Sequence, residues 1–143
     1  ERVYLGLVES DPHETYLEAA KLLEKRGVAY ISIAEADWDN APELPESFCV
    51  ALRNAFSGVL IFAGRYTSEK AIRMLEAGYG DLFAFGKPFI ANPDLPDRIR
   101  KGLPWNDVDP TTMYGGTDKG YTDYPTVESH PDSLSRERVT EQL

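Results

Sequence analysis

Two places in the chain set a glycine and a cation where an apolar run gives out: Gly64–Arg65 after "GVLIFA" and Gly86–Lys87 after "LFAF". A glycine lets another molecule approach backbone N–H groups closely, and a neighbouring cation selects for negative charge. Each pair is followed within a few residues by a segment with helix-start chemistry, where N–H groups also lack partners. The anion that suits such a cradle is a phosphate. Taken singly, each glycine is equally a turn residue, and Arg65 and Lys87 are equally solvated surface cations. Two equivalent pairs favour the phosphate reading.

The elements that would carry these pairs recur along the chain. Four runs read as buried strands: "RVYLGLV" (2–8), "AYISIA" (29–34), "GVLIFAG" (58–64) and "LFAFG" (82–86). They are apolar and rich in β-branched or aromatic residues with little polar alternation, as parallel strands covered on both faces are. Between them lie helical patterns. "ETYLEAAKLLEKRG" (14–27) sets Tyr16, Ala19, Ala20 and Leu23 on one face and ends at Gly27. "PESFCVALRNAF" (45–56) carries a Phe48, Leu52, Ala55, Phe56 stripe. "TSEKAIRMLEAG" (67–78) starts on Thr67 or Ser68 as N-cap, shows an Ala71, Ile72, Leu75 face and stops at Gly78. After the last strand, Asn92 is expected to cap a helix with Pro93 first, and Asp94 and Asp97 near its positive end.

Strand then helix, repeated, implies right-handed βαβ units and a parallel sheet. Four units make either a small open sheet or half of an eight-stranded barrel. In both, chemistry belongs at the carboxyl ends of the strands, where the two glycine–cation pairs fall.

Composition narrows the class. The chain has 143 residues, 42% of them hydrophobic, and a net charge of −9. Such acidity is unsuited to nucleic acid, which needs clustered Lys and Arg. No apolar stretch approaches the ~20 residues of a membrane span. The lone Cys49 excludes an internal disulfide and fits a small buried apolar residue in a reducing setting, so a cytoplasmic location is expected. The chain opens on Glu1, which leaves room for a preceding segment.

Other features are less directive. The second strand leads into the long loop "EADWDNAPELPESF", where Trp38 offers either an apolar wall for a substrate or packing beneath the loop. Beyond residue 101 the periodicity stops, and "GLPWNDVDPTTMYGGTDKGYTDYPTV" reads as an ordered, irregular extension, its tyrosines placed to fold over a site. His13 and His130 fall in polar turns without partners at ligand spacing, so no metal site is expected. Three segments result: residues 1–103 as four βα units, 104–127 as an irregular cap, and 128–143 as a polar tail.

"AFGKPFIANPDLPDRI", "FAGRYTSEKA", "EADW" and above all "YGGTDKGYTDYP" resemble the C-terminal half of the Old Yellow Enzyme family, over residues 1 to about 127. The resemblance implies a (β/α)₈ barrel of the TIM type, with this chain covering strands five to eight plus a C-terminal extension. It implies FMN as cofactor, reduced by NADPH or NADH, and hydride delivery to activated alkenes or nitro compounds. It places the FMN phosphate at Ala63, Gly64, Phe85 and Gly86, with Arg65 beside them and Lys87 where the family usually has Arg. Tyr114 of "YGG" resembles a tyrosine lining the substrate and flavin cavity.

The sequence departs from the family in three ways. Lys87 keeps the charge without the bidentate fork of Arg. Gly6 in "RVYLGLVE" stands where the family carries an Arg near the flavin N1/O2 edge. The family's first four strands, which bear its substrate-gripping histidine or His/Asn pair and its proton-donating tyrosine, have no counterpart here, so no catalytic residue can be assigned. Four strands alone would expose two edges and an inner face. The expectation is therefore a missing N-terminal half on another chain, a second copy of this chain, or a flattened open sheet. Two functions follow: part of an FMN-dependent oxidoreductase contributing the phosphate site, or a non-catalytic half-barrel scaffold without turnover.

Overall fold

The computed structural model describes residues 12–35, 43–114 and 117–128. The chain divides into two compact units, Glu1–Ala84 and Phe85–Leu143. The expected strand at 2–8, with Gly6, lies outside the described residues, as do Trp38 and His130.

In the first unit the order is α1 (Pro12–Lys25), β1 (Tyr30–Ala34), α2 (Glu46–Ala55), β2 (Val59–Ala63), α3 (Ser68–Glu76) and β3 (Leu82–Ala84). The strands form one sheet in the order β1-β2-β3 with both pairings parallel. The helix stops fall at the expected glycines. Gly27 and Gly78 adopt φ of 68° and 72°, a left-handed conformation that side chains resist. Each allows the next residue's N–H to reach back, Val28 to Leu23 at 3.2 Å and Tyr79 to Met74 at 3.0 Å. Of the two candidate caps for α3, Thr67 holds the place, its hydroxyl accepting from Lys70 N–H at 3.2 Å.

Register assigns the two faces of the sheet. Ile31 pairs with Leu60, and Ile33 with Phe62, which pairs in turn with Phe83, so these five share one face. Leu60 and Phe62 are fully buried there, and the core includes Phe48, Cys49, Leu52 and Phe56. The other face carries Tyr30 beside Val59 and Ile61 beside Leu82, with Ala34, Ala63 and Ala84 in one row. Tyr30 and Leu82 are 57% and 54% exposed, so an apolar face stands open. The expectation of strands covered on both faces is thus met on one face only. At the amino ends of the strands, Arg53 reaches Asp81 at 2.8 Å and the Phe56 carbonyl at 2.6 Å, while Asp81 also accepts from Leu60 N–H.

Helix faces depart from the sequence pattern in places. Ala20 is the buried residue of α1, while Tyr16 is exposed. On α3, Ala71 is buried, yet Ile72 and Leu75 are nearly half exposed. His13 lies within α1 rather than in a turn, its ring centroid 4.7 Å from that of Phe48.

The second unit holds α4 (Lys87–Ala91) and α5 (Leu95–Lys101), followed by irregular chain with turns. Here the expected cap is corrected. Asn92 does not start a helix; it ends α4, is fully buried, and α5 begins after Asp94. The reason is a polar network. Asn92 Nδ2 donates to the Pro88 carbonyl at 2.8 Å, and its Oδ1 accepts from Asn106 N–H at 2.7 Å. Arg98 is buried, with Nε on Asp94 at 2.7 Å and its other nitrogens on the carbonyls of Pro104 at 2.7 Å and Pro125 at 3.0 Å. Asp94 in turn accepts from Val127 N–H at 2.7 Å. "NPDLPDR" and "DYPTV" are therefore tied to each other by a clasp.

Candidate functional site

The loop after β2 is built from residues that each have a local reason to be there. Ala63 ends the strand, and its carbonyl accepts from Glu35 N–H at 2.7 Å, one step beyond the β1 ladder. A Cβ at Gly64 would lie 2.8 Å from the Cβ of Glu35, so only glycine fits. Arg65 follows, exposed. Tyr66 then turns inward, 5% exposed, its hydroxyl donating to the Glu35 carboxylate. Its ring lies 4.9 Å from Phe83, and Lys70 Nζ stands 4.7 Å from its centroid. Burial, then the bond to Glu35, pushes the Tyr66 phenol far up, so it is a neutral donor at every physiological pH. Burial likewise raises the Cys49 thiol, which is free and inert in character.

The loop after β3 differs. The strand ends at Ala84, two residues earlier than the sequence pattern indicates, and Ala84 pairs in register with Ala63. Phe85 and Gly86 continue the chain into the second unit. Gly86 has φ −84° and ψ −86° and immediately precedes α4. A Cβ there would meet nothing within 4 Å. Lys87 is not a loop cation; it is the first residue of α4, and exposed. The α4 helix escapes sequence reading because "KPFIA" is a single short turn without periodicity. Phe85 meets Trp105 edge-on, with centroids 5.7 Å apart.

Neither Gly64 nor Gly86 is among the positive-φ glycines. A left-handed turn is therefore not what calls for glycine at either position. Gly64 is required by close packing on Glu35, whereas a Cβ added at Gly86 would stand in open space. Tyr114 is 71% exposed, with the paired glycines after it outside the described residues. Among the described residues no cluster of His, Cys, Asp or Glu could hold a metal, and no helix is long and apolar enough to cross a membrane.

Sequence reasoning from spacing missed Tyr66 and the role of Glu35. A tyrosine just past a Gly–Arg pair and a glutamate as the first charge after a strand are signals, but they lie 31 positions apart.

The profile of the NADH:flavin oxidoreductase / NADH oxidase family matches residues 5–106. The chain belongs to this family. It is 33% identical over 129 residues to 12-oxophytodienoate reductase 2 of Arabidopsis thaliana, a match covering 88% of this chain and 34% of that one. Morphinone reductase is 42% identical, superposes with a TM-score of 0.81, and is matched over 89% of this chain and 34% of its own. The old yellow enzyme from Trypanosoma cruzi gives 36% identity and a TM-score of 0.75 over 85% of this chain and 32% of its own. The resemblance to Old Yellow Enzymes is thereby borne out. Members of the NADH:flavin oxidoreductase family use FMN with a nicotinamide reductant, and morphinone reductase has also been solved with tetrahydroNAD. The chain spans about a third of the length of these relatives.

Proposed function

We propose that this chain supplies the FMN phosphate grip of an oxidoreductase that reduces activated alkenes or nitro compounds with NADPH or NADH. The pairing of Ala63 with Ala84 carries the reading, because it puts the strands that lead into Gly64 and Gly86 side by side and level at their carboxyl ends. Backbone at Ala63, Gly64, Phe85 and Gly86 would hold the phosphate oxygens, with Arg65 and Lys87 supplying positive charge. Tyr114, and Trp38 before α2, would line the substrate cavity, with residues 104–127 as a cap and 128–143 as a tail. The chemistry that FMN would supply, if held there, is hydride transfer from a nicotinamide to the substrate. The chain's own part is to fix the phosphate end and so the reach of the ring.

In this reading β1, β2 and β3 are the sixth, seventh and eighth strands of the barrel, and residues 2–8 the fifth. The open face bearing Tyr30, Val59 and Leu82 is then an inner face, covered by the other half of the barrel on a longer polypeptide or by a second copy of this chain. The relatives' greater length supports the former. A cytoplasmic setting is part of the same reading and suits the free, buried Cys49.

FMN and riboflavin differ only in the phosphate, so calorimetric titration of the purified chain with each tests the grip. FMN is expected to bind about tenfold or more tightly at low salt, the preference shrinking as salt rises. Equal affinities would overturn the assignment.

A further inference from the structure

We infer that Glu35 and Tyr66 are a positioning pair that holds the Gly64–Arg65 backbone in the shape the phosphate needs. The inference rests on the phosphate reading above and extends it to two residues that do not themselves reach the anion.

Glu35 grips the loop after β2 at three successive points. Its N–H binds the Ala63 carbonyl at 2.7 Å, its Cβ fills the space that a side chain at 64 would need, and its carboxylate takes the Tyr66 hydroxyl. Tyr66 is held from the other side. Its ring packs on Phe83 at 4.9 Å and Phe62 at 6.3 Å, and Lys70 covers it at 4.7 Å. One residue later, Thr67 caps α3. Gly64 and Arg65 thus run between fixed points at both ends. A phenylalanine would fill the same apolar space without burying a hydroxyl, a group that costs free energy unless bonded. What the hydroxyl adds is a set distance between the end of β1 and the loop after β2. Backbone donors already in place lose little conformational freedom when an anion arrives, which raises affinity.

The test compares wild type, Tyr66→Phe, Glu35→Ala and Glu35→Gln by the ratio of riboflavin to FMN dissociation constants, with amide hydrogen exchange at residues 63–66 followed alongside. Tyr66→Phe and Glu35→Ala are expected to cut the FMN preference about tenfold, the worth of one charge-assisted hydrogen bond, and to speed exchange locally. Glu35→Gln keeps an acceptor oxygen for the tyrosine and should retain the preference. A purely structural role would lower the melting temperature, or weaken both flavins equally, and leave the ratio alone; that result overturns the inference while the phosphate reading stands. A wild-type chain without FMN preference overturns both.

Discussion

Arg98 aims its guanidinium at main-chain oxygens of Pro104 and Pro125 and at the Asp94 carboxylate, all while buried. Removing one member of such a pair strands the other without water, at a cost of about 3–5 kcal/mol. Arg98→Ala is therefore expected to lower the unfolding midpoint in urea sharply, and a shift under about 1 kcal/mol would contradict the clasp. Asp94 adds a pH signature. Burial pushes its carboxyl up, but the Val127 N–H and Arg98 outweigh that and bring it below the usual value. A depressed folded pKa contributes stability above the unfolded value, about 3.9, and that contribution is lost as pH falls through the folded one. Wild type should thus exceed Asp94→Asn in melting temperature at pH 7, with the gap closing as pH drops below about 4. A constant gap would show that the carboxylate charge is irrelevant.

At the scale of elements, the helix–strand alternation was readable because each segment obeys local rules. Gly27 and Gly78 stop helices where only a left-handed residue can, and Thr67 caps where a side-chain oxygen meets a free N–H. Exchange of Thr67 for Ala should cost about 1 kcal/mol, measured by thermal melting, whereas Ser68→Ala, which removes an exposed hydroxyl bond to Glu69, should stay within about 0.5 kcal/mol. Equal effects would return the cap to Ser68. What sequence did not disclose is non-local. Asn92 looked like a cap because it precedes Pro93, and nothing nearby announces that Asn106 will claim its side chain. Likewise the Glu35 contact that forces glycine at 64 joins segments separated by a helix and a strand. The site was half legible for the same reason. Gly64–Arg65 just past a strand follows from pattern, but the Glu35 and Tyr66 contacts around it do not.

At the scale of the molecule, the sheet buries one face and leaves the other to Tyr30, Val59, Ile61 and Leu82. Apolar surface of this kind gains about 25 cal/mol per Å² when covered, which favours association. Sedimentation of the purified chain is expected to show self-association at micromolar concentration, and Leu82→Asp, with its added charge on that face, to weaken it about tenfold. A monomer at all concentrations would remove the second-copy alternative and leave the longer polypeptide.

The edge-on packing of Trp105 against Phe85 has an optical consequence. The indole is anchored one residue short of Gly86, and its ultraviolet emission overlaps the near-ultraviolet absorption of oxidised isoalloxazine. A flavin bound beside Gly86 would drain Trp105 of its excitation, and the loss of that emission would report occupancy without an attached dye.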